Sequence, residues 1–234
     1  MARRVLGVVT LVLAIAATRS AGATTSDQVW PKLELYLSFR DTTRLVVYAE
    51  SGLGLDPGLA LVQAGAEIEQ AVTPLRARLF PTIRVSKRER ATLGLGYQYG
   101  RALERGGFGG STNENRIYGE GTFRALFPAE ILAGDRNRVE GRALDGDWSW
   151  RYRNRLRVER GFEVAGRRVV PLASAELFYD SRPGTWTRLR LEAGADLEEL
   201  LGRGTVLELY YVRQYDRGEP AIVNALGVTV DVYR

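Results

Sequence analysis

The chain contains no cysteine and no histidine. Without cysteine it cannot form disulfides, thiolate metal sites, a cysteine nucleophile or a lipid-modified cysteine anchor. Without histidine it lacks the commonest general base and metal ligand at neutral pH, and a Ser-His-Asp triad is impossible. We therefore expect no metal, no cofactor and no catalysis of the kinds that need these two residues.

Lysine is almost absent as well, since Lys32 and Lys87 are the only two lysines in a chain rich in arginine. Arginine is always charged and can donate two parallel hydrogen bonds to one carboxylate, so it suits crowded networks of ion pairs. A GC-rich genome, which favours arginine, alanine and glycine codons, explains the same bias. Both interpretations stay open at this point.

Long apolar runs are missing except at the N-terminus, which has the form of a targeting segment. Two arginines precede the apolar run VLGVVTLVLAIAA (5–17), and AGA (21–23) is a small-x-small cleavage site. A transmembrane helix needs about 20 apolar residues, so the run is short for a retained anchor, which is the alternative. The sequence therefore predicts an exported protein with a signal peptide at 1–23 and one domain at 24–234.

Cleavage of this segment changes the argument about charged partners. The formal charge is +5 for the whole chain and falls to +2 when residues 1–23, with three arginines and no acid, are removed. Nonspecific binding to nucleic acid depends on excess positive charge, which a nearly neutral mature chain does not supply. We expect no nucleic-acid partner.

Alternation of apolar and polar residues recurs almost to the C-terminus, whereas no run with helical spacing lasts three turns. In WTRLRLEAGADL (186–197), leucine and alanine occupy one parity, and arginine, glutamate and aspartate the other. Turn signals rich in glycine, proline and aspartate separate such runs. The runs exceed the usual length of soluble strands and match the roughly 9–11 residues that a tilted strand needs to cross a bilayer. The pattern predicts an antiparallel meander.

The number of strands depends on one segment. The apolar face is even-numbered in 60–72 and odd-numbered in 77–85, and a side-chain face cannot change parity along one regular strand. Residues 73–75 are therefore either a turn, which gives twelve strands, or a bulge, which gives eleven. Bacterial single-chain barrels have even strand numbers, so we favour twelve.

Alternation alone does not decide which face is wet, because a soluble sandwich and a membrane barrel share it. The export signal favours the barrel, as do charges of both signs on the polar face. Aromatic residues near strand ends also favour it, because girdles form at membrane interfaces. These aromatics are Trp30, Trp148, Trp150, Tyr152, Tyr179, Trp186, Tyr211 and Tyr215. We predict an all-β, transmembrane, antiparallel up-and-down β-barrel of about twelve strands in a Gram-negative outer membrane. A periplasmic sandwich or lipid-carrier barrel is the alternative.

Three polar residues and one loop do not fit this pattern simply. Asp135 and Asn137 interrupt the apolar face of the weakest predicted strand, 131–142, and Asn154 falls on an apolar parity without explanation. The turn-rich segment ERGGFGGSTNEN (104–115) predicts an extracellular loop, since those are the longer ones in such barrels. It could constrict the lumen or recognise a ligand, and a mobile surface loop is the simpler alternative.

Arginine is densest in WRYRNRLRVER (150–160), where a strand aligns alternate arginines on one face. The predicted lumen track comprises Arg136, Arg138, Arg151, Arg153, Arg155, Arg157, Glu159, Glu176, Arg188, Arg190, Glu192 and Glu208. One interpretation is a track that guides small anionic solutes through a pore. The other is a plugged barrel in which glutamates neutralise the arginines, because buried charge is tolerated when paired.

Three segments also resemble a known family. They are GDWSWRYRNRLRVER (146–160), PLASAELFYDSRPGTWTRLRLEAGADL (171–197) and LELYYVRQYDRGEPAIVNALGVTVDVY (207–233). They resemble the bacterial family labelled domain of unknown function 2490. The resemblance implies an outer-membrane β-barrel of about twelve strands. It implies no activity and gives no catalytic residues.

The leading functional hypothesis is a small, weakly anion-selective pore without catalysis. Its expected partners are outer-membrane lipid, the barrel-insertion machinery and small anionic solutes. A closed structural or adhesion barrel is the second hypothesis. A hydrolase using paired lumen acids such as Glu192 and Asp196 is the third, although any charged lumen yields such pairs by chance.

Overall fold

A computed structural model describes residues 25–40, 42–55, 59–72, 90–104, 112–217 and 222–234. Strands dominate these residues, with one 3₁₀ turn at Pro128–Glu130. The strands are β1 (Thr25–Arg40), β2 (Thr43–Gly54), β3 (Leu59–Ala71), β4 (Arg90–Glu104), β5 (Thr112–Phe127), β6 (Ile131–Leu144), β7 (Asp147–Arg160), β8 (Phe162–Val164), β9 (Arg167–Asp180), β10 (Thr185–Glu198), β11 (Thr205–Asp216) and β12 (Ile222–Tyr233). Within the described ranges, no helix has the length and apolar character needed to span a bilayer.

The strands close into a barrel. Each long strand pairs antiparallel with the next along the chain, and β9 pairs with both β7 and β10. The short β8 continues β7 beyond Gly161 and pairs with the start of β9, so it adds no position to the ring. The structure therefore confirms an all-β, up-and-down barrel of about twelve strands, eleven of which form the ring.

An odd ring has one parallel seam, because its first and last strands run in the same direction. Here β1 and β12 pair in parallel from Thr25 opposite Ile222 to Tyr36 opposite Tyr233. The even strand numbers of bacterial barrels favoured twelve strands, but β3 pairs directly with β4, with Ala71 opposite Thr92, so the ring has eleven. The predicted turn or bulge at 73–75 lies outside the described residues, as does the predicted signal peptide.

The predicted loop at 104–115 is shorter than expected. Strand β5 already begins at Thr112, and residues 105–111 lie outside the described part of the chain. Polar residues that read as loop pair across the sheet instead: the Tyr99 hydroxyl donates to Asn113 Oδ1 (2.8 Å) and the Tyr97 hydroxyl to Asn115 Oδ1 (2.6 Å). Each of these bonds is diagonal, because Asn113 lies opposite Arg101 and Asn115 lies opposite Tyr99.

The two faces of the sheet are distributed inside out relative to a soluble protein. Leu33, Leu95 and Ile117 point outward, with 54–66% of their surface accessible. Glu140 and Gln98 point inward and are buried, Glu140 completely. A soluble fold puts such charges outside, where hydration is cheap. The barrel instead presents an apolar outer belt and encloses its charges.

Glycines on the inner face make room for tyrosine rings. A Cβ at Gly96 would overlap the Tyr118 ring, and a Cβ at Gly227 would overlap the Tyr210 ring. The ring of Tyr48 covers Gly65 in the same way. Each of these rings therefore packs against the bare backbone of a glycine on the neighbouring strand.

Replacing Gly227 by alanine should therefore destabilise the barrel. The added methyl group displaces the Tyr210 ring from a packed position, and such overpacking costs about 1–3 kcal/mol. Gly52→Ala is the matched control, because it lies on the same inner face and its Cβ would meet Trp30 no closer than 3.5 Å. Urea unfolding followed by tryptophan fluorescence measures both. Equal midpoints for the two variants would show that Tyr210 moves aside freely.

Candidate functional site

One cavity of about 1000 Å³ runs inside the ring. We call the end where β1 begins the N-terminal rim and the end where β12 stops the C-terminal rim. Arg182 and Arg217 line the cavity at the N-terminal rim, and Arg124 and Glu159 line it at the C-terminal rim. The lining thus extends from one rim to the other.

The cavity wall carries charges of both signs with a basic excess. Among the described residues that line it, fourteen are arginine or lysine and ten are aspartate or glutamate. Inward acids that are not among the lining residues partly offset this excess, since Glu140 contacts Arg153 at 2.8 Å and Asp196 contacts Arg157 at 3.1 Å.

All twelve residues of the sequence-predicted track lie on the inner face, and Arg153 forms its central node. Its Nη1 lies 2.8 Å from Glu140 Oε1 and its Nη2 lies 2.9 Å from Glu176 Oε1. Arg136 shares Glu176 at 2.8 Å. Glu140 and Glu176 are 0% and 2% exposed, so their charges depend on these arginines rather than on water.

Arg157 anchors the track toward the C-terminal rim. Its guanidinium contacts Glu159 at 3.0 Å, Asp196 at 3.1 Å and Glu208 at 3.7 Å. One cation therefore serves three carboxylates contributed by β7, β10 and β11. This end of the interior is locally acidic, in contrast to the arginine-rich end.

Arg190 differs from the other arginines in its partner. Its Nε and Nη2 donate to the neutral Gln214 Oε1 at 3.0 and 2.8 Å, and the nearest carboxylate oxygen recorded for it, on Glu176, is 3.7 Å away. By contrast, Arg155 lies 2.5 Å from Glu192. Arg188 pairs directly with an acid as well, on β11. Arg190 therefore keeps more of its charge available to the cavity.

Arg151 and Arg138 complete the predicted track. Arg151 contacts Asp180 at 2.9 Å at the N-terminal rim, and Arg142 shares this carboxylate at 2.9 Å. Arg138 lies 2.5 Å from Glu120 and stacks over the Tyr118 ring at 3.9 Å. The guanidinium groups thus make fixed contacts along the whole wall.

The sequence interpretation missed Phe178, which lies at the centre of the arginine cluster. Its ring is 2% exposed, and the guanidinium groups of Arg153, Arg188 and Arg190 lie 4.8, 5.3 and 5.2 Å from its centroid. An aromatic face attracts such cations and holds their planes in order. Its parity with Glu176 was the available signal, because both occupy inward positions of β9.

Trp30 was assigned to an interfacial girdle, and this is wrong. Its indole points inward, donates to Gln28 Oε1 at 2.7 Å and stacks under Arg190 at 4.8 Å. Trp30 shares its parity with Lys32 and Glu34, so β1 carries it on the charged face. Parity is a stronger guide here than proximity to a strand end.

An acidic cluster lies on the opposite wall. Carboxylate oxygens of Glu67, Glu69 and Glu120 come within 4.8 Å of one another. Arg44 contacts Glu69 at 2.7 Å, and Arg138 contacts Glu120 at 2.5 Å. Arginines therefore already supply the positive charge that this cluster needs, and we assign it no metal.

Comparison with known proteins places the chain in a family. Residues 28–223 match the family described as "Protein of unknown function (DUF2490)", and the chain belongs to it. No curated protein matches the chain. A solved structure, described as the crystal structure of the beta domain of the Bordetella autotransporter Brka, is similar at 19% identity, with a TM-score of 0.43. The similarity covers 82% of this chain and 83% of that chain.

Proposed function

We propose that this protein is an outer-membrane β-barrel that forms a narrow, water-filled pore with a weak preference for small anions. The observation that carries the proposal is the cavity, whose charged lining extends from one rim to the other. Export by the N-terminal signal peptide, and folding into the membrane by the barrel-insertion machinery, belong to the same proposal.

Aromatic residues on the outer surface support a membrane location. At the N-terminal rim, Trp150 stacks on Tyr179 at 5.4 Å, and Tyr179 meets Trp186 edge to face at 5.7 Å. At the opposite rim, Phe39 and Phe127 are 67% and 53% exposed. Aromatic rings favour the interface between lipid and water, so two such bands frame the apolar belt as a bilayer would.

Purified, folded protein should produce discrete conductance steps in planar lipid bilayers. The polar wall keeps water in the cavity, and the basic excess should set the reversal potential slightly on the anion side in a salt gradient. Wild-type protein that has not been refolded, and therefore shows no heat-modifiable gel migration, is the control for leakage caused by aggregates. Absence of steps from heat-modifiable protein would reject the pore.

A closed structural barrel is the second candidate, and the ion pairs favour it. Arg153, Arg155 and Arg157 all contact carboxylates within about 3 Å. Such ion pairs join neighbouring strands and can stabilise a barrel whose interior does not conduct ions. The bilayer measurement separates the two candidates, because a stiffened closed barrel is heat-modifiable but electrically silent.

A further inference from the structure

The outer surface carries a polar patch halfway along two neighbouring strands. Asn154 Nδ2 donates to Asp135 Oδ1 at 2.7 Å and to Asn137 Oδ1 at 3.1 Å. Asn137 Nδ2 donates to Asp135 Oδ2 at 3.1 Å, and the Tyr152 hydroxyl donates to Asn137 Oδ1 at 2.5 Å. We call these four residues the β6–β7 patch. Asn137 and Asn154 are direct cross-strand partners, near the midpoints of β6 and β7.

The rest of the apolar belt looks different at this height. The described outward residues near the midpoints of other strands include Leu33 on β1, Leu191 on β10 and Leu209 on β11, all more than 40% exposed. On β5, beside the patch, the outward positions are Gly119 and Gly121, whose added Cβ atoms would meet nothing closer than 4.0 and 3.7 Å. The patch therefore adjoins a flat strip where another backbone can approach closely.

Polar side chains at this position are costly if lipid surrounds them. A polar group in hydrocarbon loses its water and needs a partner for each remaining donor or acceptor. None of the hydrogen bonds among the described residues uses Asn154 Oδ1, and Asn137 Nδ2 donates only once. Hydrogen bonds within the patch thus pair most of its polar atoms, and they leave the acceptor Asn154 Oδ1 and one N–H of Asn137 Nδ2 for another partner.

We propose that the β6–β7 patch and the adjoining glycine strip of β5 form the contact surface for a second copy of this chain. The inference rests on the proposed membrane location. A free carboxamide acceptor on Asn154 and a free donor on Asn137 are complementary to themselves across a two-fold axis, which is the commonest symmetry of protein dimers. Small residues that allow close approach, joined by polar side chains, also characterise contacts between membrane-spanning elements.

Cysteine crosslinking tests this surface directly, because the chain contains no native cysteine. Val139→Cys places a thiol on the same face of β6 as the patch, and Leu33→Cys places one on β1 across the barrel; both native side chains are 54% exposed. In lipid vesicles and in outer membranes, a short bismaleimide should link Val139→Cys into dimers and leave Leu33→Cys monomeric. Equal crosslinking of both variants, or none of Val139→Cys, would overturn the proposal.

The asparagines are tested on the Val139→Cys background. Replacing both Asn137 and Asn154 by leucine should abolish the dimer while heat-modifiable migration and conductance are retained, since neither side chain faces the cavity. Undiminished dimer in this variant would refute the role of the patch. If Val139→Cys crosslinks only to a different protein, the partner at this surface is not a second copy of the chain. Absence of conductance from Val139→Cys protein that still crosslinks into dimers would reject the pore but not this surface. Recovery of the protein in the soluble fraction would reject the membrane location and, with it, this contact surface.

Discussion

Arg153→Ala is expected to lower the free energy of unfolding by about 3–5 kcal/mol, because it leaves buried charges without a partner. Glu140 and Glu176 lie 2.8 and 2.9 Å from its guanidinium, and both are almost completely buried. Removal of the cation also strips Phe178 of a stacked partner at 4.8 Å. Urea unfolding of the folded barrel in detergent or lipid measures the loss.

Arg168→Ala is the control for this prediction. The Arg168 side chain is 57% exposed and contacts Glu198 at 3.4 Å, so water screens the pair and its removal should cost about 0–1 kcal/mol. A combined Arg153→Met and Glu140→Gln variant should recover part of the loss, since it removes both members of one buried pair. If Arg153→Ala costs no more than Arg168→Ala, water screens the interior pairs and the track does not stabilise the barrel.

Arg190→Gln is expected to produce the largest change in ion selectivity. Arg190 donates to neutral Gln214, so its charge acts on the cavity more than that of arginines locked to carboxylates. Unit charges about 4 Å apart in water interact by about 1 kcal/mol, so loss of this charge should lower the occupancy of the cavity by anions roughly five-fold and lower the anion-to-cation permeability ratio by at least as much. The reversal potential in a potassium chloride gradient measures that ratio.

Glu50→Gln provides a control of opposite sign. Glu50 lines the cavity, is 36% exposed at its side chain and lies 4.0 Å from Lys32, so its replacement should raise the anion preference. Arg190→Lys, which keeps the charge, should leave the ratio near that of the wild type. Shifts in the same direction for Arg190→Gln and Glu50→Gln would show that wall charge does not control permeation.

The inward positions could be predicted from the sequence because they depend on local parity alone. A strand alternates its faces strictly, so Arg153 and Arg155 had to share a face, and Glu176 on β9 had to share one with Phe178. The same rule would have placed Trp30 inside. The prediction for Trp30 was wrong because its position near a strand end was given more weight than its parity.

The partners of the arginines could not be predicted, because they depend on register between strands. Arg153 lies directly opposite Arg138 on β6 and opposite Phe178 on β9, so no direct cross-strand partner is an acid. Its long side chain reaches diagonally to Glu140 and Glu176 instead. The sequence of a single strand does not reveal its register with the neighbouring strand, and so it does not reveal which charges will lie opposite one another.

The number of strands in the ring and the asparagine on the apolar parity also depend on pairing between strands. Whether 77–85 adds a strand cannot be derived from its alternation, since a turn and a bulge both change parity. Asn154 lacked an explanation because its partner, Asn137, comes from the neighbouring strand. The register places Asn137 and Asn154 opposite each other, so two polar residues that each interrupted an apolar face belong to one hydrogen-bonded patch.

Thiol labelling at two consecutive residues of β10 tests most directly whether the barrel holds water inside and lipid outside. Arg190 lines the cavity, whereas Leu191 points outward and is 41% exposed. In lipid vesicles, a charged, water-soluble maleimide should label Arg190→Cys and spare Leu191→Cys, and a lipid-soluble maleimide should label Leu191→Cys. Labelling of Leu191→Cys by the charged reagent as fast as Arg190→Cys, or no labelling of Arg190→Cys, would contradict a water-filled barrel embedded in a membrane.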